Sequence, residues 1–244
     1  MRGIFKVEKV CEEIKNWIRE YFEKQPNAKG AIIGISGGKD STITSKLLVE
    51  ALGKESVFGV LMPNGEQKDI EDSLKVVDLL GINYKVVNIE KAYKGLLEGI
   101  DEESLSKDGK INIPPRLRMT TLYAIGSSMH YRVCGTGNKS EGFVGYTTKW
   151  GDNAYDFNPI GDLTTEEVIA VGDYLGLPYE LVHKTPSDGL TGESDEEKLG
   201  FTYKQINDYI EKGTSGDKEV DDKIKAKHDY NKHKGILPPK YELQ

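Results

Sequence analysis

The chain has 244 residues, of which 37% are hydrophobic and 30% are charged, and its formal net charge is −7. This length and composition predict a soluble globular protein with a substantial core, and the acidity argues against broad nucleic-acid binding, which needs a basic face. No apolar run approaches the ~20 residues that span a bilayer, and charged residues interrupt the segment where a signal peptide would be apolar. The cysteines, Cys11 and Cys134, lack metal-ligand spacing. We interpret them as buried, reduced thiols of a cytoplasmic protein.

Helical and β-type patterns alternate along the chain. Apolar residues at helical spacing predict an amphipathic helix over 7–22 that ends before Pro26. The later predicted elements are strand 31–35, helix 42–52, strand 56–62, helix 67–80, strand 84–89, helix 90–98, helix 116–129, strand 131–135, helix 164–176, helix 202–212 and a charged C-terminal helix over 218–234. This alternation predicts a doubly wound α/β fold, with a mainly parallel sheet covered by helices on both faces. We expect a single domain over residues 1–244.

Three segments interrupt the alternation. Residues 99–113 are polar and contain glycine, which indicates a mobile loop. Residues 136–163 are rich in Gly, Thr and Asn, so they are either a functional loop or disordered. Residues 184–200 are predicted to form a flexible lid.

The sequence Ser36-Gly37-Gly38-Lys39-Asp40-Ser41 lies between a predicted strand, which ends with Gly34-Ile35, and a predicted helix. In this setting backbone N–H groups converge on an anion, and glycine lets a phosphate approach the backbone closely. Lys39 can add positive charge, and Asp40 can hold Mg²⁺ on the phosphates. A simple capped turn is the alternative, but the six-residue string favours an ATP phosphate loop. It differs from the loop of the P-loop NTPases, which has four residues between its glycines.

A second cluster, Thr136 to Glu141, follows the predicted strand 131–135. In a parallel sheet this cluster lies at the same edge as the Gly-rich loop. Thr136 can donate to a phosphate, and Glu141 can give the metal a second carboxylate near Asp40. A plain turn with a solvated Glu141 is the alternative.

Aromatic, basic and acidic residues over 146–158 predict a pocket for a heterocyclic substrate. Surface residues without a binding role are the alternative. Arg116 and Arg118 open a helix whose dipole disfavours them there, which favours an anionic ligand; two solvated arginines are the alternative.

These motifs resemble, in order, those of the ammonia-dependent NAD synthetases. The Ser-Gly-Gly-x-Asp-Ser loop is shared by the whole N-type ATP pyrophosphatase superfamily, whose members cleave ATP between the α- and β-phosphates. The stretches 148–152 (Thr-Lys-Trp-Gly-Asp) and 194–200 (Ser-Asp-Glu-Glu-Lys-Leu-Gly) are specific to NAD synthetases. The resemblance implies an adenine nucleotide alpha hydrolase-like fold and a ligase that makes NAD from deamido-NAD, ATP and ammonia through an adenylylated intermediate.

The resemblance also implies roles for individual residues. The implied ATP-binding residues are Gly34, Ile35, Ser36, Gly37, Gly38, Lys39, Asp40, Ser41, Thr136, Lys184 and Ser187. The implied deamido-NAD-binding residues are Arg116, Tyr123, Tyr146, Lys149, Asp152, Asp156, His233 and Lys234. Asp40 and Glu141 would bind Mg²⁺, and Lys39, Lys184, Asp40 and Asp152 would act in catalysis. Family members are homodimers with the deamido-NAD site at the interface.

The sequence departs from the resemblance at Thr165, where many members have lysine. Pro114-Pro115 replaces a more common Lys-Ala pair, and the stretch between Pro186 and Ser194 is a few residues shorter than in many bacterial members. Ammonia is the expected nitrogen donor, because neither cysteine has the setting of a glutaminase nucleophile. A tRNA thiolase or another acid amidase with the same loop is an alternative, and so is a non-catalytic nucleotide-binding module.

Overall fold

A computed structural model describes residues 5–66, 70–184 and 195–243. Within these residues, one sheet contains four parallel strands in the order β3-β2-β1-β4. The strands are β1 Gly30–Gly34, β2 Val57–Leu61, β3 Asn83–Val86 and β4 Tyr131–Val133. The helices of the described residues are α1 Val7–Glu23, α2 Lys39–Leu52, α3 Ile70–Leu80, α4 Glu90–Ile100, α5 Lys107–Ile111, α6 Ile113–Met129, α7 Lys139–Val144, α8 Thr165–Tyr174, α9 Tyr179–Val182, α10 Asp195–Leu199, α11 Tyr203–Lys212 and α12 Lys218–Asn231. None of them is both long and apolar enough to cross a membrane.

Helices cover both faces of the sheet. Ala31 and Ile33 of β1 belong to an apolar cluster with residues of α1, α2, α3 and α8, whereas Ile32 belongs to a second cluster with Leu117 and Leu122 of α6. Alternate side chains of one strand are therefore buried on opposite sides, as in a doubly wound parallel sheet. This observation confirms the predicted fold class.

The strand order places a crevice beyond the carboxyl ends of β1 and β4. From β1 the chain runs through α2 to β2 and through α3 to β3, and then returns through α4 to α6 to β4 on the other side of β1. The connections that leave β1 and enter β4 thus lie on opposite faces of the sheet. Ligands of doubly wound sheets bind at such a switch point.

Several predicted boundaries differ from the structure. α2 begins at Lys39, three residues before the predicted start, because Gly38 is its N-cap. α6 begins at Ile113, because Pro114 and Pro115 occupy its first turn, where a missing N–H costs nothing. β3 ends at Val86 rather than at residue 89, and the C-terminal helix α12 ends at Asn231, followed by a 3₁₀ turn over Lys232–Lys234.

Capped helices occupy parts of the segments predicted to be loops. The prediction of a loop throughout 99–113 was wrong, since α5 lies there and the Ser106 hydroxyl accepts a hydrogen bond from Gly109 N. α7 lies within 136–163, capped by Asn138. α10 lies within the predicted lid 184–200, of which residues 185–194 are outside the described residues.

Candidate active site

A cavity of about 810 Å³ lies at the switch point. Its wall includes the loop after β1, the loop after β4, the first turn of α6 and residues of α12. Of the predicted site residues, those that line this cavity or the smaller pocket beside it are Gly34, Ile35, Ser36, Gly38, Lys39, Asp40, Ser41, Thr136, Glu141, Tyr146, Asp152, Lys184 and Lys234. The structure therefore brings most of the predicted ATP-binding residues to one place. Ser187 lies outside the described residues.

The loop before α2 is braced by its own hydroxyl groups. Ser36 Oγ lies 3.0 Å from Ser41 Oγ and accepts a hydrogen bond from Gly38 N at 3.2 Å, while Ser41 Oγ donates to Gly38 O at 3.1 Å. Gly37 has a φ of 76°, which favours glycine, and α3 packs directly against it. These contacts fix the conformation of the loop at the N-terminus of α2, where the backbone N–H groups of a helix attract phosphate.

Two lysines of the cavity are paired with carboxylates. The Lys39 Nζ lies 3.0 Å from Asp40 Oδ2, and the Lys184 Nζ lies 2.8 Å from Asp72 Oδ2. Burial lowers the pKa of Lys39, but the carboxylates of Asp40 and Glu141 outweigh this effect and leave its pKa above the usual value. Lys39 therefore carries its positive charge into the cavity at neutral pH.

Asp40, in the first turn of α2, and Glu141, in the first turn of α7, form an acidic pair. Both contact Asn138, whose Nδ2 donates to Asp40 Oδ1 and whose backbone N donates to Glu141 Oε2, each at 3.0 Å. Burial, and then the negative charge of Asp40, raise the pKa of Glu141 to about 8. Lys39 compensates part of the negative charge through its ion pair with Asp40, but the pKa of Glu141 stays raised.

This donor set fits Mg²⁺. The described residues contain no group of three or more His, Cys, Asp or Glu side chains that could hold a metal ion. Mg²⁺ in nucleotide sites needs only one or two carboxylates, because phosphate oxygens and water complete its shell. A cation between Asp40 and Glu141 would also remove the repulsion that raises the Glu141 pKa.

A third acidic residue, Asp152, borders the same space. Its Oδ1 accepts a hydrogen bond from Thr148 N at 2.8 Å, and burial raises its pKa. The hydroxyl of Tyr146, which lines the same pocket as Asp152, donates to Asp195 Oδ1 at 3.1 Å. Asp195 also lines the cavity.

Five of the predicted deamido-NAD-binding residues are absent from the cavity lining and form two groups outside it. Arg116 Nε donates to Lys149 O at 3.2 Å, and Lys149 Nζ lies 3.2 Å from His233 Nδ1. The hydroxyl of Tyr123 donates to Asp156 Oδ1 at 3.2 Å. The predicted set is therefore split between the cavity and these two groups.

The structure separates the two arginines that the sequence indicated as candidates for an anionic ligand. Arg118, rather than Arg116, lines the cavity; its Nε donates to Met62 O at 3.1 Å, and burial lowers its pKa. Two positions along a helix turn a side chain by about 200°, so helical period alone could have separated the two arginines. Asp72, the partner of Lys184, and Asn138 were also missed, although the Asn-x-x-Glu spacing of 138–141 is a capping-box signal.

A doubly wound sheet with a Gly-rich phosphate loop and an acidic pair at its switch point defines a nucleotide-binding protein of the adenine nucleotide alpha hydrolase-like fold. Residues 10–236 match the NAD synthase family model. The chain is 39% identical over 236 residues to the NH(3)-dependent NAD(+) synthetase of Carboxydothermus hydrogenoformans, covering 95% of this chain and 96% of that protein. The chain belongs to the NAD synthase family.

Two solved structures are similar to this one over nearly their whole lengths. The NMN synthetase from Francisella tularensis superimposes with a TM-score of 0.91 at 31% identity, covering 98% of this chain and 100% of that chain. The NH3-dependent NAD synthetase from Campylobacter jejuni, in complex with the nitrate ion, superimposes with a TM-score of 0.82 at 29% identity, with the same coverage.

Proposed function

We propose that the chain is a ligase that converts deamido-NAD to NAD, using ATP and ammonia and releasing AMP and pyrophosphate. The observation that carries the proposal is the convergence of the phosphate loop, Asp40 and Glu141 in one cavity at the switch point. The cavity has the size of a small-molecule site, and the name of the relative from Carboxydothermus hydrogenoformans supports the same reaction.

The ATP phosphates would bind at the N-terminus of α2. The loop amides, Lys39, Lys184 and Thr136 supply donors and positive charge, and Ser187 is included on the family pattern. Asp40 and Glu141 would hold Mg²⁺, which supplies neutralisation of phosphate charge. Catalysis of this kind relies mainly on positioning and electrostatic stabilisation.

The reaction has two steps. The nicotinate carboxylate of deamido-NAD attacks the α-phosphorus of ATP, and the bond to the β-phosphate oxygen breaks to release pyrophosphate. Ammonia then adds to the activated carbonyl carbon, loses a proton, and expels AMP. Asp152 is our candidate acceptor of that proton, because it borders the cavity and burial raises the pKa of its carboxyl group.

Ammonia is the proposed nitrogen donor. The relative from Carboxydothermus is named as NH(3)-dependent and is covered over 96% of its length. Both cysteines are buried and free. Burial raises the pKa of Cys11 to about 11, and it also raises the pKa of Cys134 well above its usual value. Neither thiol has the low pKa of a nucleophile that would release ammonia from glutamine.

We also propose that the chain is one cytoplasmic domain that forms a homodimer. Tyr146, Asp152 and Lys234 would contact the nicotinate half of the substrate in the cavity. The residues outside the cavity would bind the other half at the subunit interface; they are Arg116, Tyr123, Lys149, Asp156 and His233.

A second candidate is amidation of nicotinate mononucleotide to NMN by the same chemistry. The similarity to the NMN synthetase from Francisella tularensis favours it. This substrate lacks the adenylate half, so the outer residues would then have no substrate to bind.

A product assay tests both candidates. The protein is incubated with Mg·ATP, ammonium and either acid substrate, and the products are identified by chromatography and mass. A higher kcat/KM for deamido-NAD, with equal amounts of NAD, AMP and pyrophosphate, supports the proposal. A higher kcat/KM for nicotinate mononucleotide supports the second candidate. If ATP is cleaved in the presence of neither deamido-NAD nor nicotinate mononucleotide, both candidates are contradicted.

The role of Glu141 is tested separately. Glu141→Gln keeps the shape of the side chain and removes its charge. We expect loss of turnover with an unchanged circular dichroism spectrum. Activity close to that of the parent protein would contradict the metal role.

A further inference from the structure

Asn138 joins the two carboxylates of the acidic pair. It is 2% exposed and lies between the first turn of α2, which carries Asp40, and α7, which carries Glu141. Its Nδ2 donates to Asp40 Oδ1, and its backbone N donates to Glu141 Oε2. A single residue thus contacts both carboxylates and links two segments that are 98 residues apart in sequence.

Helix capping explains only part of this arrangement. Asn138 Oδ1 accepts a hydrogen bond from Glu141 N at 3.1 Å, which caps α7, and Glu141 Oε2 completes the capping box. Serine and aspartate cap helices as well as asparagine does. The contact with Asp40 requires the amide donor in addition, and among these capping residues only asparagine has one.

Hydrogen bonds at both Nδ2 and Oδ1 fix the orientation of the Asn138 side-chain amide. Asp40 offers only acceptor oxygens to Nδ2, while Oδ1 faces Glu141 N and lies 3.5 Å from the Thr165 hydroxyl. Asp40 is also held from its other side, since its Oδ2 lies 3.0 Å from Lys39 Nζ. Both oxygens of Asp40 therefore have fixed directions before any ligand binds.

We propose that Asn138 is a positioning residue for the divalent cation. It sets the separation and orientation of Asp40 and Glu141 so that the two carboxylates share one cation with the phosphates of ATP. The inference rests on the proposed function of this site. Residues that orient metal ligands in this way typically change metal affinity by about 10- to 100-fold when replaced.

The test uses the full chain and Mn²⁺ as the probe. Binding of Mn²⁺ is followed by electron paramagnetic resonance in the presence of α,β-methylene-ATP, which cannot be cleaved at the reacting bond. Asn138→Ser keeps a capping oxygen for Glu141 N but removes the side-chain amide that reaches Asp40. We expect about tenfold weaker Mn²⁺ binding or more, with a urea unfolding midpoint close to that of the parent protein.

Thr202→Ala is the matched control. Thr202 closes a capping box of the same type on α11, where its hydroxyl accepts from Gln205 N at 3.2 Å, and it contacts neither carboxylate. We expect a lowered unfolding midpoint with unchanged Mn²⁺ affinity. Unchanged Mn²⁺ binding in Asn138→Ser, or an equal loss in Thr202→Ala, would overturn the proposal.

The experiment separates this inference from the proposed reaction. It contains no acid substrate and no ammonia, so a dependence of Mn²⁺ binding on Asn138 stands even where no amidation occurs. Absence of Mn²⁺ binding by the parent protein in the presence of the analogue would overturn the positioning role together with the cation role of Asp40 and Glu141.

Discussion

Gly37 and Gly38 are adjacent in the phosphate loop, but we expect very different effects when each is replaced by alanine. Gly37 has a φ of 76°, and a Cβ there would lie 2.9 Å from both Asp72 Cβ and Ser73 N of α3. A left-handed conformation costs a non-glycine residue roughly 1–2 kcal/mol, and overpacking costs roughly 1–3 kcal/mol. Restriction of the unfolded chain by alanine offsets about 0.4–1 kcal/mol of this. We therefore expect Gly37→Ala to lower the free energy of unfolding by about 2–4 kcal/mol.

Gly38→Ala is the internal control. Gly38 has φ −85° and ψ 161°, which alanine adopts readily, and a Cβ there would meet only Ser36 Oγ at 3.3 Å. We expect its free energy of unfolding to stay within about 1 kcal/mol of the parent value, since the small loss at an N-cap is offset by the restricted unfolded chain. Urea unfolding followed by circular dichroism measures both variants. Equal stabilities of the two variants would refute the close packing of α3 on the loop.

Two further predictions concern the elements around the cavity. Gly145 has a φ of 65°, and a Cβ there would overlap Asn231 of α12, whereas Gly213 has a φ of 78° with open space around it. Gly145→Ala should therefore lower the free energy of unfolding by about 1–3 kcal/mol more than Gly213→Ala does, and equal urea midpoints would contradict this. Hydrogen bonds from Lys184 and Lys75 hold the pKa of Asp72 below its usual value. These contacts therefore stabilise the folded protein at pH values above the usual pKa of an aspartate, and the stabilisation is lost as the pH falls through the pKa of Asp72 in the folded state. The stability difference between the parent protein and Asp72→Asn should accordingly begin to shrink as the pH falls below about 5 and continue to shrink through the lowered pKa of the folded state, and a constant difference would show that the ion pair contributes nothing.

The parts of the fold that could be predicted from the sequence depend on local patterns. Alternation of apolar strands and amphipathic helices predicted the parallel sheet, and the string from Ser36 to Ser41 predicted the phosphate loop, because glycines and a following helix define that geometry locally. The capped helix α5 was missed within a polar segment, although Ser106 is a capping residue three positions before Gly109. A helix of five residues gives too little periodicity to detect.

Contacts between distant segments were harder to predict. The sequence placed Asp40 and Glu141 at one edge of the sheet, but it did not indicate that Asn138 connects them. Nor did it pair Lys184 with Asp72, which is 112 residues away. Hydrogen bonds of this kind depend on the distance between loops in the folded chain, which neither spacing nor composition specifies.

The charges of the cavity favour a nucleotide whose phosphates have a bound divalent cation. Lys39 and Lys184 already have carboxylate partners, so an anion entering the loop meets positive charge that is held in place rather than free to move. Glu141 is in a different situation, because burial and the negative charge of Asp40 raise its pKa. Lys39 pairs with Asp40, and no basic side chain of the described residues forms an ion pair with Glu141. An anion alone would add to this repulsion, whereas a divalent cation bound to that anion would remove it. We therefore expect the site to bind the metal–nucleotide complex in preference to the free nucleotide, and the proposed role of Asn138 is to fix the geometry of the two carboxylates for that complex.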